Sequence, residues 1–218
     1  MMQNIDRLIA RIDELNNPTV VGLDPTLEMI PPDLKEAAFK QYGDSLKAVS
    51  EMFVRFNKAI IDSVADIVPA VKPQIAMYEK YGIEGLSAYV QTTAYAAAKG
   101  LYVIGDIKRG DIASTAAAYA AHLSGAEIGG AHVDCWHEDA VTVNPYLGSD
   151  GVDPFVKACE TTGKAIFILV KTSNPSSGEL QDLHVAPACA DSVAHDAVAN
   201  GADRAVAHDA VANGADRA

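Results

Sequence analysis

Five short apolar runs, spaced so that a helical pattern fits between successive runs, constrain the fold of this chain more than any other feature. They are Thr19-Val20-Val21-Gly22-Leu23, Ile67 to Pro73, Leu101 to Asp106, Ala140 to Asn144, and Lys164 to Lys171. Helical spacing of apolar residues marks Leu34 to Val64, with Phe39, Leu46, Val49, Phe53, Phe56, Ile60 and Ile61 expected inward. Tyr81 to Lys99 and Ile112 to His122 carry the same signal. An earlier helix, read from Ile5, Leu8, Ile9, Ile12 and Leu15, stops at Asn16-Asn17-Pro18. Connections long enough to hold a helix cannot be hairpins, so the strands must pair in parallel. A doubly wound sheet and a (β/α)8 barrel both satisfy that pattern.

The strand ends separate the two layouts. Polar residues stand at the C-terminal end of every run: Asp24, Lys72, Asp106 with Lys108, Asn144, and Lys171 to Asn174. Chemistry gathered from five strand ends favours the mouth of a barrel, because an open sheet collects its ligand mainly at one switch point. The densest of these ends is Gly105-Asp106-Ile107-Lys108-Arg109-Gly110-Asp111-Ile112, which places acid, base and acid where a buried strand runs out. Charges in such a position are costly to a core and point to function. No G-x-G-x-x-G or Walker loop follows any strand, so a nucleotide cofactor held in those ways is not expected.

Composition narrows the classes further. A chain of 218 residues, 49% of them apolar, can bury one substantial core and forms one domain or at most two. With 17 basic against 29 acidic residues the net charge is −12, which disfavours nucleic acid and anionic bilayers while leaving room for one cationic pocket. Cys135, Cys159 and Cys189 are scattered and odd in number, which argues for a reducing compartment and against zinc or a disulfide scaffold. No apolar run approaches the length of a membrane span, and residues 1–15 carry Asp6, Asp13 and Glu14 in place of a signal-peptide core. A cytoplasmic protein is expected. Residues 193–205, VAHDAVANGADRA, are repeated identically at 206–218, and this Ala-rich stretch lacks the large apolar residues a barrel strand needs. We therefore expect a barrel domain over 1–185 and a separate tail over 186–218 in which His195 and His208 have no catalytic part.

Along an extended strand Asp106 and Lys108 point to the same side, and Lys72 ends the neighbouring strand. If these meet with Asp111, they form an alternating network in which each carboxylate keeps a lysine protonated and each lysine keeps an acid ionised. A lysine in that setting is a general acid, since a Schiff-base lysine needs its pKa lowered. An ion-pair cluster closing the barrel end is the structural alternative.

The DIKRGDIAST segment resembles the D-x-K-x-x-D-I-x-x-T signature of the orotidine 5′-phosphate decarboxylase family. Val20 to Pro25 resembles that family's first-strand LDP motif, and Phe56 to Asp62 with Ala70-Val-Lys-Pro-Gln74 its second unit. Val141 to Gly148 and Leu169 to Pro175 resemble its fourth and fifth strands, in the longer-chain bacterial branch. The resemblance covers residues 1–183 and implies a (β/α)8 barrel that dimerises with shared sites and uses neither cofactor nor metal. It implies that Asp106 sits beside the carboxylate to be expelled, that Lys108 protonates C6 of the pyrimidine, and that Lys72 orients Asp106. Asp24 would bind ribose hydroxyls and Ser173 the pyrimidine edge, while Asp111 and Thr115 would reach into the partner subunit's site. The product would be uridine 5′-phosphate.

The sequence departs from the family beyond Leu183. The family's glycine-rich loop with a glutamine, and the arginine that together with it grips phosphate, have no counterpart there, and Arg204 and Arg217 fall in the repeated segments. Five strands leave a sheet edge open, so roughly 80 to 90 further residues are expected for closure. Two rival functions follow. A sugar-phosphate decarboxylase or aldolase on the same barrel would share the Asp-x-Lys pair but would use magnesium and a second-strand acid, where this chain has Lys72. A phosphate-ligand binding homologue without catalysis is the other.

Overall fold

The computed structural model describes residues 4–184. The tail expected over 186–218, with its repeat, lies outside the described residues. By compactness the chain divides into two units, 1–170 and 171–218.

The first unit opens with α1 (Asn4–Leu15), then β1 (Val20–Leu23), α2 (Pro32–Tyr42), α3 (Leu46–Val64), β2 (Ala70–Pro73), the short α4 (Ile75–Glu79) and α5 (Gly82–Ala98). It continues through β3 (Tyr102–Arg109), α6 (Ala113–Ser124), β4 (Ala126–Ile128), β5 (Ala131–Val133), β6 (Ala140–Val143), α7 (Ser149–Thr162) and β7 (Ala165–Ile168). Five strands form one parallel sheet in the order β1-β2-β3-β6-β7. Each new strand is added on the same side as the last, with no reversal of order. A doubly wound sheet needs such a reversal, so this is the arc of a (β/α)8 barrel.

All five expected strands are present. The apolar alternation along them serves two cores, because successive side chains point to opposite faces. Val71 and Val103 pack with Ile61 and Ala96, and Ile107, Val141 and Val143 pack with Phe53, Tyr89 and Phe155, all on the helix side. Ala70, Tyr102, Ile104 and Ala140 form a second face against Leu8, Ile5 and Ile12 of α1. That helix covers the N-terminal ends of the strands, where Asn4 donates to the Asp139 carbonyl at 3.1 Å and Arg7 pairs with the Asp139 carboxylate at 2.5 Å.

Two local readings need correction. The helical pattern over Leu34 to Val64 is two helices, because Gly43-Asp44-Ser45 breaks it and Ser45 caps α3 by accepting from the Ala48 N–H at 3.2 Å. Phe39 and Leu46, expected inward, flank that break and are exposed. The antiparallel hairpin of β4 and β5 was also not anticipated. Its turn is Gly129-Gly130, both at positive φ, as a two-residue hairpin turn of the favoured hand requires.

The second unit is described as far as residue 184. Pro175–Ser177 form a 3-10 turn leading into α8 (Gly178–Gln181). Lys171 pairs with Asp182 at 2.6 Å, and Gln181 accepts from the Thr172 N–H at 2.8 Å.

Candidate active site

The C-terminal ends of β2, β3 and β6 bring polar side chains onto one carboxylate, that of Asp106. Asp106 lies on β3 and is only 4% exposed, yet four donors surround it. Lys72 Nζ donates to Oδ2 at 2.8 Å and Gln74 Nε2 to the same oxygen at 3.0 Å. Lys108 Nζ donates to Oδ1 at 2.5 Å and Thr142 Oγ1 to that oxygen at 2.9 Å. Each carboxylate oxygen thus receives one ammonium and one neutral donor. Burial pushes the Asp106 carboxyl up, but the hydrogen bonds from Lys108, Lys72 and Thr142 outweigh it and hold the group below the ordinary carboxylate range.

Local backbone geometry explains how Asp106 and Lys108 reach each other across one intervening residue. The register between β3 and β6 shifts between Gly105 and Arg109, and Lys108 adopts φ 45°. A left-handed lysine is strained by about 1–3 kcal/mol and needs support from its surroundings. Thr142 supplies it, accepting from the Lys108 N–H at 2.9 Å with the same hydroxyl that donates to Asp106. Arg109, next in sequence, pairs with Glu79 and leaves the cluster to the lysines.

Asp24 joins through Gln74, whose backbone N–H donates to Asp24 Oδ1 at 3.2 Å while its side chain holds Asp106. Behind Asp24, Tyr78 donates to the Leu23 carbonyl at 2.9 Å, and Asn57 donates to Tyr78 and Thr92. The end of β1 is therefore anchored from the helix layer. Lys72, Asp106 and Lys108 meet in one network, with Asp24 beside them through Gln74, whereas Asp111, the fourth member expected of that network, is not bonded to it. Gln74 and Thr142 were missed, although both lie inside motifs singled out for other residues; as neutral side chains they escape a search for charge.

Asp111 lies past β3, where its Oδ1 accepts from the Ile112 N–H at 2.7 Å, and it is not among the groups bonded to Asp106. Thr115 is exposed on the first turn of α6. Ser173 belongs to the second unit and is exposed there between Thr172 and Asn174, whose side chains bond each other at 2.5 Å.

Two lysines meet on one aspartate, so the mouth presents two ammonium groups to a ligand, balanced by the carboxylates of Asp106 and Asp24. Lys108 is 44% exposed along its side chain and uses one of its three donors on Asp106, so it can present a proton to a bound molecule. Among the described residues no group of three or more His, Cys, Asp or Glu side chains is placed to hold a metal, and no helix is long and apolar enough to cross a membrane.

Comparison with known proteins gives a consistent result. A family model described as orotidine 5′-phosphate decarboxylase / HUMPS family matches residues 18–217. The orotidine 5′-phosphate decarboxylase of Rhodopirellula baltica is 45% identical over 186 residues, covering 85% of this chain and 60% of that protein. The enzyme of the same name from Petrotoga mobilis is 44% identical, covering 84% of this chain and 57% of its own. The chain thus spans about three fifths of the length of these curated relatives. Among solved structures, Leishmania donovani OMP decarboxylase superposes with a TM-score of 0.63 at 32% identity, over 85% of this chain and 60% of that one. Leishmania donovani UMP synthase gives 0.64 at 31% identity, over 86% of this chain and 34% of that one.

Proposed function

The chain belongs to the orotidine 5′-phosphate decarboxylase / HUMPS family, and from that premise we propose that it converts orotidine 5′-phosphate to uridine 5′-phosphate and carbon dioxide. One observation carries the reading: a buried aspartate held between two lysines at the mouth of a parallel barrel arc.

The difficulty of this reaction lies in the electron pair left on C6 when the C6–carboxylate bond breaks. That pair lies in the ring plane and gains no ordinary resonance, so stabilisation must be electrostatic and prearranged. Lys108 supplies it. Its ammonium faces the forming carbanion and transfers a proton to C6; the neutral amine left behind is reprotonated from solvent. Asp106 holds Lys108 in position and sets a negative charge beside the carboxylate that departs. Lys72 and Gln74 hold the other oxygen of Asp106, and Asp24, tied to Gln74, takes the ribose hydroxyls. No cofactor enters any of these steps.

Lys72 favours this reading over a magnesium-dependent sugar-phosphate barrel. The second-strand position that would carry an acidic ligand carries a lysine already paired with Asp106. Asp111 and Thr115, outside the cluster of their own chain, serve the site of a second subunit, so the working form is a homodimer.

The decisive experiment is decarboxylation assayed by loss of orotidine 5′-phosphate absorbance together with carbon dioxide release. K108A is expected to fold and to bind a uridine 5′-phosphate analogue, yet to lose turnover by many orders of magnitude. Near-normal turnover in K108A sinks the mechanism.

A further inference from the structure

A second polar cluster stands behind β3, on the face opposite Asp106, and the decarboxylation chemistry does not use it. Glu138, in the turn before β6, is 1% exposed and lies within the helix-side core. Tyr89 of α5 donates its hydroxyl to Glu138 Oε1, and His122 Nδ1 of α6 lies 2.9 Å from Oε2. Trp136 stacks on the His122 ring with centroids 4.1 Å apart. Burial, and then the Glu138 carboxylate, push the Tyr89 hydroxyl well above its ordinary value, so it stays a donor.

The turn that presents Glu138 is itself pinned. Asp134 accepts from the backbone N–H groups of Trp136 and His137 at 3.2 and 3.0 Å and pairs with Lys164 at 3.0 Å. Asp139 accepts from the Val103 N–H at 2.9 Å and returns its own N–H to the Val103 carbonyl at 2.8 Å. The acid is thus held on both sides before it meets β3.

It meets β3 at Gly105. A methyl group built there would lie 2.2 Å from Glu138 Oε1 and 2.5 Å from its carboxyl carbon. A glycine is needed because the carboxyl group occupies that volume. Gly105 precedes Asp106 and is where the register with β6 begins to shift towards the left-handed Lys108. A clamp at this residue sets where the bulge starts, and the bulge sets how Asp106 and Lys108 face each other.

We propose that Glu138, gripped by Tyr89 and His122 and packed against Gly105, is a positioning residue that seats the β3 bulge and through it the Asp106–Lys108 pair. The role rests on the decarboxylase reading for its kinetic consequence but not for its structural one. E138A is expected to lower kcat about 10²-fold with KM nearly unchanged, the signature of misplaced groups that act in the transition state. E138Q, which keeps shape and hydrogen bonding, restores most of that loss. Y89F removes one grip without opening a cavity and gives a smaller fall in kcat, again at constant KM. G105A lowers Tm by forcing its Cβ onto the carboxyl group; G105A/E138A recovers Tm relative to G105A, because the space is vacated, but not kcat.

A titration independent of turnover accompanies these assays. The 13C signal of the Asp106 carboxyl group, which faces Lys72, Lys108, Gln74 and Thr142, is followed against pH. Its midpoint should rise in E138A, as the lysine contacts loosen, and stay at the wild-type value in E138Q. Wild-type kcat in E138A or in G105A/E138A overturns the proposal, as does a midpoint that falls equally in E138A and E138Q, which marks charge acting through space. Absence of turnover in the wild-type chain overturns the decarboxylase reading instead, and the titration then decides the role of Glu138.

Discussion

At the scale of single residues, Asp106 shows what a site asks of a core. Its carboxylate is buried, which destabilises the charge, and the hydrogen bonds from Lys108, Lys72 and Thr142 more than offset that cost. Its pKa in the folded chain is therefore lower than in the unfolded chain, where an aspartate titrates at about 3.9. The stabilisation from the ionised form is fully present above that unfolded value and is lost as pH falls through the lower folded value. D106N, neutral at every pH, lacks this contribution. The Tm difference between wild type and D106N should accordingly be constant above about pH 5 and shrink as pH falls through about 4 and below, measured by circular dichroism melts; a difference independent of pH refutes the assignment. Lys72, Asp106, Lys108 and Asp24 were legible in sequence because charge at the end of an apolar run has few structural uses. Gln74 and Thr142 were not, since an amide and a hydroxyl are as common in turns and strands as in sites. Glu138 and His122 are further from reach, because only folding brings α6 and the turn before β6 together.

At the scale of elements, apolar runs identify strands better than helical spacing identifies helix ends. All five parallel strands follow from their runs, whereas α2 and α3 merged in the sequence because apolar residues keep phase across Gly43-Asp44-Ser45. The hairpin was missed for the opposite reason: β4 and β5 are three residues each, with mostly exposed side chains, and leave almost no apolar pattern. Its one signal was Gly129-Gly130. Ser45 carries a stability consequence of its own, as the cap of the long helix that holds Phe53 and Asn57. S45A should cost about 1 kcal/mol, a fall in Tm of roughly 2–4 °C for a chain of this size. S45D, which keeps a capping oxygen, should lose little, and an equal loss in both variants argues against capping.

At the scale of the whole molecule, the separation of Asp111 from the Asp106 cluster in its own chain underlies the expected shared site. Mixing K72A and D111A subunits should restore activity in the heterodimer, because one of its two sites then carries neither substitution. No recovery despite demonstrated subunit exchange rules out a shared site. The two ammonium groups that Lys72 and Lys108 hold at the mouth also have a kinetic meaning within a chain of net charge −12. A multiply charged anion approaching from solution first meets a repelling body and only within a few ångströms an attracting mouth. Because ions screen the distant repulsion before the close attraction, the Debye length being about 30 Å at 0.01 M and 10 Å at 0.1 M, adding salt should first accelerate capture and then slow it. Stopped-flow association of a uridine 5′-phosphate analogue should pass through a maximum with ionic strength, where a steadily falling rate would indicate long-range steering. Encounter on this reading would be governed by distance, with the body of the protein resisting the ligand that its mouth would retain.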